Sequence, residues 1–345
     1  MTPDEITDGW LSDQFDSEVR ITDRRRIGDG LVGMNLRLGL QASDPSADVP
    51  RSLVVKLPST DPTSRATGVA LRNYEREVKF YRDLAPTIDM RIARCYYGDW
   101  TEADGDFVLL LEDLSPAEQG DQTTGCTAVE ARIAVLELAR LHGPRWNDPA
   151  LDDIEWLGRY SPEGTDQLVA LWGVFLPGFM STYGRYLDTE QSGLIERFGA
   201  RLRDWIEQRT APYTVTHGDY RLDNLMFGTP AGGSPIATVD WQSPGHGPAV
   251  ADVSYFLGAG PLPAVRRTIE RELVHDYGAA LAEYGVQMDD AELWRQYRHS
   301  AYGGVVMSVV ASQIVGGTER SEAMFAAMAT RHTQHALDLD AESML

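Results

Sequence analysis

The sequence predicts an α+β protein in two lobes: a small N-terminal lobe with an antiparallel sheet and one helix (1–114), then a larger, mainly helical lobe (115–345). Three observations lead there. A chain of 345 residues exceeds what one small hydrophobic core holds, so two packed bodies are expected. Its first third carries short alternating or β-branched runs separated by turn-rich segments, which is strand patterning. Beyond Thr127 the pattern changes to Ala/Leu/Glu-rich stretches of helical period.

The elements follow in order. Gly28-Asp-Gly-Leu-Val-Gly33 opens Met34-Asn-Leu-Arg-Leu-Gly-Leu40, whose alternation of apolar and polar residues has the period of a strand. Ser-Leu-Val-Val-Lys56-Leu, bounded by Pro50 and Pro58, is a second strand. Gly68 to Leu84 has the spacing of an amphipathic helix with Ala70, Leu71, Tyr74, Val78, Tyr81 and Leu84 on one face. Phe107 to Leu114 is an apolar run expected as a buried strand that breaks at Ser115-Pro116. Ala128 to Leu141 is a helix that stops at His142-Gly143-Pro144, where the histidine is expected to hydrogen-bond structurally. Leu168 to Gly184 carries Trp172, Phe175, Phe179 and Tyr183 at helical spacing, and Ala301 to Thr318 is nearly uncharged; both are expected as helices packed within the larger lobe. The second is too rich in Gly, Ser and Ala to be a membrane span.

Composition excludes several classes. A formal net charge of −21 argues against nucleic acid and anionic membrane as partners, since both require a basic face. Two cysteines, Cys95 and Cys126, without metal-type spacing, exclude a disulfide scaffold and a zinc site. Met1 to Asp16 is acidic and lacks a basic stretch followed by an apolar one, so no leader is expected and the protein is expected in the cytoplasm. Of 31 basic residues only Lys56 and Lys79 are lysine. Lys56, kept in a strand against that arginine background, marks a place where a compact, mobile ammonium is needed, whereas Lys79 lies in a charged helix and is expected to be solvated.

The chemistry concentrates in His217-Gly-Asp219-Tyr-Arg221-Leu-Asp-Asn224 and Val239-Asp240-Trp241-Gln242, on short apolar strands around a Gly/Pro hairpin, Gly228 to Pro235. Phosphoryl transfer needs a carboxylate to orient and deprotonate the acceptor hydroxyl, and a carboxamide with a second carboxylate to hold Mg²⁺. Asp219, Asn224 and Asp240 fit those three roles. The glycine motif Gly28, Gly30, Gly33 alone is ambiguous, because dinucleotide-binding folds share it. A dinucleotide fingerprint, however, opens a helix and is followed by an acidic residue. Here the glycines open a strand and the next strand carries Lys56, the order of a kinase nucleotide lobe. Glu77 falls near the apolar face of the 68–84 helix and is the expected partner of Lys56; Glu75 points a quarter turn away. The strand end at 112–114 lies where a kinase chain crosses between lobes, and the Glu112 carbonyl and Leu114 amide are candidates for the base edge of the nucleotide.

Together these motifs resemble the aminoglycoside phosphotransferase and choline-kinase-like superfamily, and within it the bacterial relatives of the ecdysteroid-kinase-like branch, to which Asp-Trp-Gln and the Tyr74-Glu-Arg-Glu77-Val-Lys-Phe80-Tyr81 helix are most similar. The resemblance covers residues 20 to 258 and implies a two-lobed protein-kinase-like fold. It implies that Asp219 is the catalytic base, Asn224 and Asp240 bind Mg²⁺, Lys56 meets the α/β-phosphates of ATP or GTP, and Glu77 fixes Lys56. Arg221 stands where protein kinases keep a lysine facing the transferred phosphate, and aminoglycoside kinases lack a basic residue there. Asp252 is implied to tie down the catalytic-loop backbone; Asp223 has no assigned role. The expected activity is transfer of a nucleotide γ-phosphate to a hydroxyl of a small molecule. The acidic residues Asp152, Asp153, Glu155, Glu163 and Asp166 would suit a polycationic aminoglycoside, and the 172–183 aromatics an apolar sterol-like or macrolide-like alcohol. The alternative is a nucleotide-binding pseudokinase, against which stands the full set of motif residues.

Overall fold

The computed structural model describes residues 1–28, 32–103, 105–315 and 317–345. The chain divides into two compact units. Unit 1 comprises Met1–Pro86, Ile92–Ser115 and Val239–Ser243; unit 2 comprises Thr87–Arg91, Pro116–Thr238 and Pro244–Leu345.

In unit 1 the acidic N-terminal segment forms helix α1 (Asp8–Phe15), capped by Thr7, whose side chain accepts from the Trp10 amide. Strands β1 (Val19–Ile27), β2 (Gly33–Ala42) and β3 (Ser52–Pro58) follow, then α2 (Pro62–Ala70), α3 (Asn73–Lys79), β4 (Cys95–Trp100) and β5 (Phe107–Glu112). The five strands make one sheet in the order β1-β2-β3-β5-β4, with every pairing antiparallel. Leu36, Leu38, Leu53, Val55, Leu57, Val108 and Leu110 build its core with Leu11 of α1. Because side chains alternate along a strand, Lys56, between Val55 and Leu57, is directed to the opposite face.

The 68–84 segment differs from the single helix expected of it. Helix α2 begins earlier, on an Asp61 cap with Pro62 in the first turn, and ends at Ala70. Arg72 then takes a left-handed backbone at φ 58°, α3 restarts at Asn73, and Phe80–Leu84 continues as a π-helical turn. The Arg72 guanidinium clasps Glu75 through two hydrogen bonds of 2.7 and 2.8 Å, which fixes the restart. Restarting resets the helical phase: Leu71 is exposed, whereas Tyr74, Val78, Tyr81 and Leu84 are buried.

Unit 2 holds β6 (Glu118–Gln119), α4 (Ala128–His142), β7 (Gly158–Arg159), α5 (Pro162–Tyr183), α6 (Thr189–Glu207), β8 (Tyr213–Thr216), β9 (Leu225–Thr229), β10 (Gly232–Thr238), β11 (Gly245–Pro248), α7 (Val250–Ala259), α8 (Pro263–Leu281), α9 (Asp290–Ser300), α10 (Tyr302–Ile314) and α11 (Glu319–Asp338). Two small sheets, β10-β9-β6 and β7-β11-β8, support the loops that carry polar residues. Helix α4 starts on a Thr127/Glu130 capping box. On α5, Trp172, Phe179 and Tyr183 are buried. Trp172 meets Phe198 edge-on at 5.5 Å and Tyr183 meets Phe325 at 6.4 Å, so these aromatics are core packing, whereas Phe175 is half-buried. Among the described residues no helix is long and apolar enough to cross a membrane.

Candidate active site

In unit 1, Lys56 Nζ lies 2.7 Å from Glu77 and 2.6 Å from Asp240 Oδ1. Burial would lower the pKa of Lys56, but the two carboxylates outweigh it and push it up. At Glu77 burial wins, because one ammonium is shared between two acids, and its pKa is raised. Asp240 follows β10 with a left-handed backbone, φ 69°, a conformation that aspartate tolerates better than most residues. Its neighbour Trp241 is fully buried, and Gln242 Oε1 accepts from Asn73 Nδ2 at 3.3 Å. Glu75, a quarter turn from the apolar face, is nevertheless buried and bonds both Arg72 and Lys79. Those cations hold its carboxyl down at about 2, the Arg72 hydrogen bond contributing most.

The other unit 1 candidates frame β2 and β5. Gly28 has φ 66°, a region glycine enters without steric cost; Gly33 opens β2 opposite Pro58; Gly30 lies outside the described residues. Tyr74 Oη donates to the Val32 carbonyl, tying α3 to the end of the glycine segment. Glu112 closes β5, its amide donating to the Arg94 carbonyl at 2.8 Å and its Oε2 accepting from the Arg94 amide at 3.0 Å. Leu114 follows in the connecting loop, half-buried.

In unit 2, β8 delivers the His217–Asn224 loop, which Asp252 of α7 pins from below. Asp252 accepts from the His217 amide at 2.7 Å and the Gly218 amide at 3.1 Å, and His142 Nε2 lies 3.3 Å from the same carboxylate. Within the loop, Asp219 is held at both oxygens. Arg221 Nε donates to Oδ2 at 3.0 Å and Asn224 Nδ2 at 3.1 Å, while Tyr255 Oη donates to Oδ1 at 2.8 Å. Arg221 also bonds Asp223 and touches Met324 Sδ at 3.2 Å. Burial opposes its charge, yet Asp219 and Asp223 together raise its pKa. Asp223, without a role in the sequence reading, links the loop to Gln122, whose amide donates to its Oδ1 at 2.9 Å. Leu222 N in turn donates to Gln122 Oε1 at 3.0 Å.

Each unit thus gathers its own candidates: Lys56, Glu77 and Asp240 in unit 1; Asp219, Arg221 and Asn224 in unit 2. Tyr255 and Gln122 escaped sequence reasoning. Tyr255 had a signal: it stands three residues after Asp252 on one helix, hence on nearly the same face. Gln122 had none, since its contacts span about a hundred residues of sequence. Of the acids considered for a polycation, Asp166 pairs with Arg203 at 2.5 Å, and Asp152 lies 3.4 Å from His246 and 3.7 Å from Arg159.

Asn224 in unit 2 and Asp240 in unit 1 each carry an oxygen of the kind a small hard cation takes. Mg²⁺ takes one or two protein oxygens and completes its shell with phosphate and water. Asn224 directs its amide nitrogen to Asp219, which leaves its carbonyl oxygen as a donor atom. The Asp240 side chain is 33% exposed, so its carboxylate remains accessible.

Comparison with known proteins places these features in context. The profile of the phosphotransferase enzyme family matches residues 46–298. Solved structures share the fold at low identity. The GDP complex of aminoglycoside 2'-phosphotransferase-IIIa is 12% identical with a TM-score of 0.56, over 97% of this chain and 95% of that one. An ethanolamine kinase from Plasmodium vivax is 12% identical with a TM-score of 0.55, over 97% of this chain and 87% of that one. The gentamicin complex of APH(2")-IIa is 11% identical with a TM-score of 0.55, over 97% and 98%. The protein-kinase-like fold expected from the sequence is therefore the one observed. Acyl-CoA dehydrogenase family member 10 from Mus musculus is 33% identical over 98 residues, 27% of this chain and 9% of that protein. The match spans too little of that protein for its activity to be carried over.

Proposed function

We propose that this chain, which belongs to the phosphotransferase enzyme family and is a small-molecule O-kinase, moves the γ-phosphate of Mg·ATP to the hydroxyl of an uncharged small alcohol. The observation that carries the reading is the buried Lys56 ammonium bridging Glu77 and Asp240. A cation fixed by a helix carboxylate on one side is what the α/β-phosphates of a nucleotide require. Glu112 and Leu114 would offer backbone groups to the base, and Gly28, Gly30 and Gly33 a side-chain-free approach to the phosphates. Asn224 and Asp240 would hold Mg²⁺, which when bound neutralises charge on the phosphates.

Asp219 orients the acceptor hydroxyl and takes its proton as the oxygen attacks phosphorus; the bond from the γ-phosphorus to the β-phosphate oxygen breaks, releasing ADP. Arg221, held against Asp219, offers positive charge where the transferred group becomes more negative. The same arginine argues about the acceptor. With Arg221 beside Asp219, and Arg320 3.6 Å from Asp223, the carboxylates here are matched by cations. A polycationic aminoglycoside therefore gains little local attraction from them, which favours a neutral alcohol. A cytoplasmic location, where ATP is abundant, would suit this activity.

The test is ADP release from Mg·ATP across kanamycin, erythromycin, cholesterol, choline and glucose, with GTP as a second donor. Turnover on a neutral alcohol, abolished in Asp219→Asn with ATP binding retained, is the expected result. Turnover confined to kanamycin overturns the acceptor class, and nucleotide binding without ADP from any compound makes the protein a pseudokinase.

A further inference from the structure

We propose that Tyr255 is a positioning residue that sets which oxygen of Asp219 meets the acceptor hydroxyl, an inference that rests on Asp219 being the base. Its own loop holds Asp219 only at Oδ2, through Arg221 and Asn224. The carboxylate could pivot about that contact if nothing gripped the other oxygen. Tyr255 Oη grips it, at 2.8 Å from Oδ1. A carboxylate oxygen accepts two hydrogen bonds. Oδ2 has both from the protein, whereas Oδ1 has one from Tyr255 and keeps a lone pair in a fixed direction. The acceptor hydroxyl is thereby assigned to Oδ1.

The surroundings of Tyr255 make it a dependable donor. Burial first, and the adjacent Asp219 carboxylate second, push its phenol well above the ordinary value, so it stays protonated. It sits on α7 one turn after Asp252, so one helix holds both the loop backbone and the carboxylate. Its ring lies on the imidazole of His332, centroids 5.2 Å apart and planes within 21°. His332 is 1% exposed, and neither of its ring nitrogens has a hydrogen-bond partner among the described residues. Burial holds its pKa well below the ordinary range, so it is neutral. The chain has cleared space for that ring: a Cβ on Gly304 would stand 2.0 Å from His332 Nδ1. A buried imidazole with no polar contact is costly; as the platform under Tyr255 it has a use.

The experiment compares Tyr255→Phe and Asp219→Asn with wild type in ADP release from Mg·ATP, first with water as the only acceptor and then with kanamycin, erythromycin, cholesterol, choline and glucose. Tyr255→Phe is expected to lower turnover about 10- to 100-fold on every acceptor used, with the KM for Mg·ATP and the melting temperature unchanged. A parallel rise in KM or fall in melting temperature makes the hydroxyl merely structural and overturns the proposal. Wild-type turnover in Tyr255→Phe, with Asp219→Asn inactive, overturns it while leaving the base reading intact. Wild-type turnover in Asp219→Asn, or no ADP from the wild type with any acceptor, overturns both. If Tyr255→Phe does not fold, His332→Gln decides: reduced turnover at unchanged KM supports the inference, and wild-type turnover overturns it.

Discussion

The indole of Trp241 lies flat on the ring of Phe80, centroids 3.8 Å apart and planes within 5°. Trp241 follows Asp240, and Phe80 opens the π-helical turn three residues after Glu77. The stack thus joins the two segments whose carboxylates share Lys56, and a π-helical turn is a common way to re-aim side chains near a functional site. Trp241→Ala is expected to remove about 3–5 kcal/mol of unfolding free energy, read as a fall in the urea midpoint, and to raise the Mg²⁺ concentration needed for half-maximal turnover. Trp241→Phe, which keeps a ring on Phe80, should retain most of both. An unchanged Mg²⁺ requirement in Trp241→Ala would separate Asp240 from the stack.

Lys56 is one cation between two acids, so removing it leaves two carboxylates facing each other. Lys56→Met is expected to destabilise the fold by about 3–5 kcal/mol. Adding Glu77→Leu should restore much of that, because the fully buried carboxylate goes with its partner. Nucleotide affinity, followed by isothermal titration with ATP, should be lost in both. Recovered stability with lost binding would separate the structural part of Lys56 from the phosphate binding proposed for it.

Asp252 bonds the amides of His217 and Gly218 with different oxygens. Asp252→Asn replaces one acceptor with a donor against an N–H, costing about 1–3 kcal/mol. Amide exchange at His217 and Gly218 should speed up, while exchange across β3 and β5 stays as in the wild type. Slow exchange at both amides in the variant would mean that the loop is held by something else.

Strand patterns and helix stops of this chain were legible because burial writes a period into the sequence: Met34 to Leu40 alternates as β2 does, and Ala128 to Leu141 stops one residue before α4 ends at His142. The 68–84 region misled because its apolar period runs through Arg72, and a single left-handed residue resets the phase without changing composition. Glu75 and Glu77 could be ranked by direction, but not the Arg72 clasp that buries Glu75, since that clasp depends on the restart itself. The motif residues around Asp219 stand close in sequence and announce themselves. Tyr255 and Gln122 reach the same loop from 36 and about a hundred residues away, and pattern reading does not register tertiary contacts of that kind.

His299 is expected to make the fold sensitive to acid. It is buried at the end of α9, its carbonyl accepting from Trp205 Nε1 at 2.7 Å and its ring stacked near the same indole. Burial first, then the Arg209 and Arg295 charges, push its pKa down to about 4. The unfolded chain takes up that proton near pH 6.5. Between those values the unfolded state binds more protons than the folded one, so acid favours unfolding. The contribution is fully present above about pH 6.5 and declines as the pH falls through about 4, amounting to about 3 kcal/mol over the window. Urea unfolding at stepped pH should show this loss in the wild type and a flatter profile in His299→Leu, which cannot titrate. An equally steep profile in the variant would assign the sensitivity to another group.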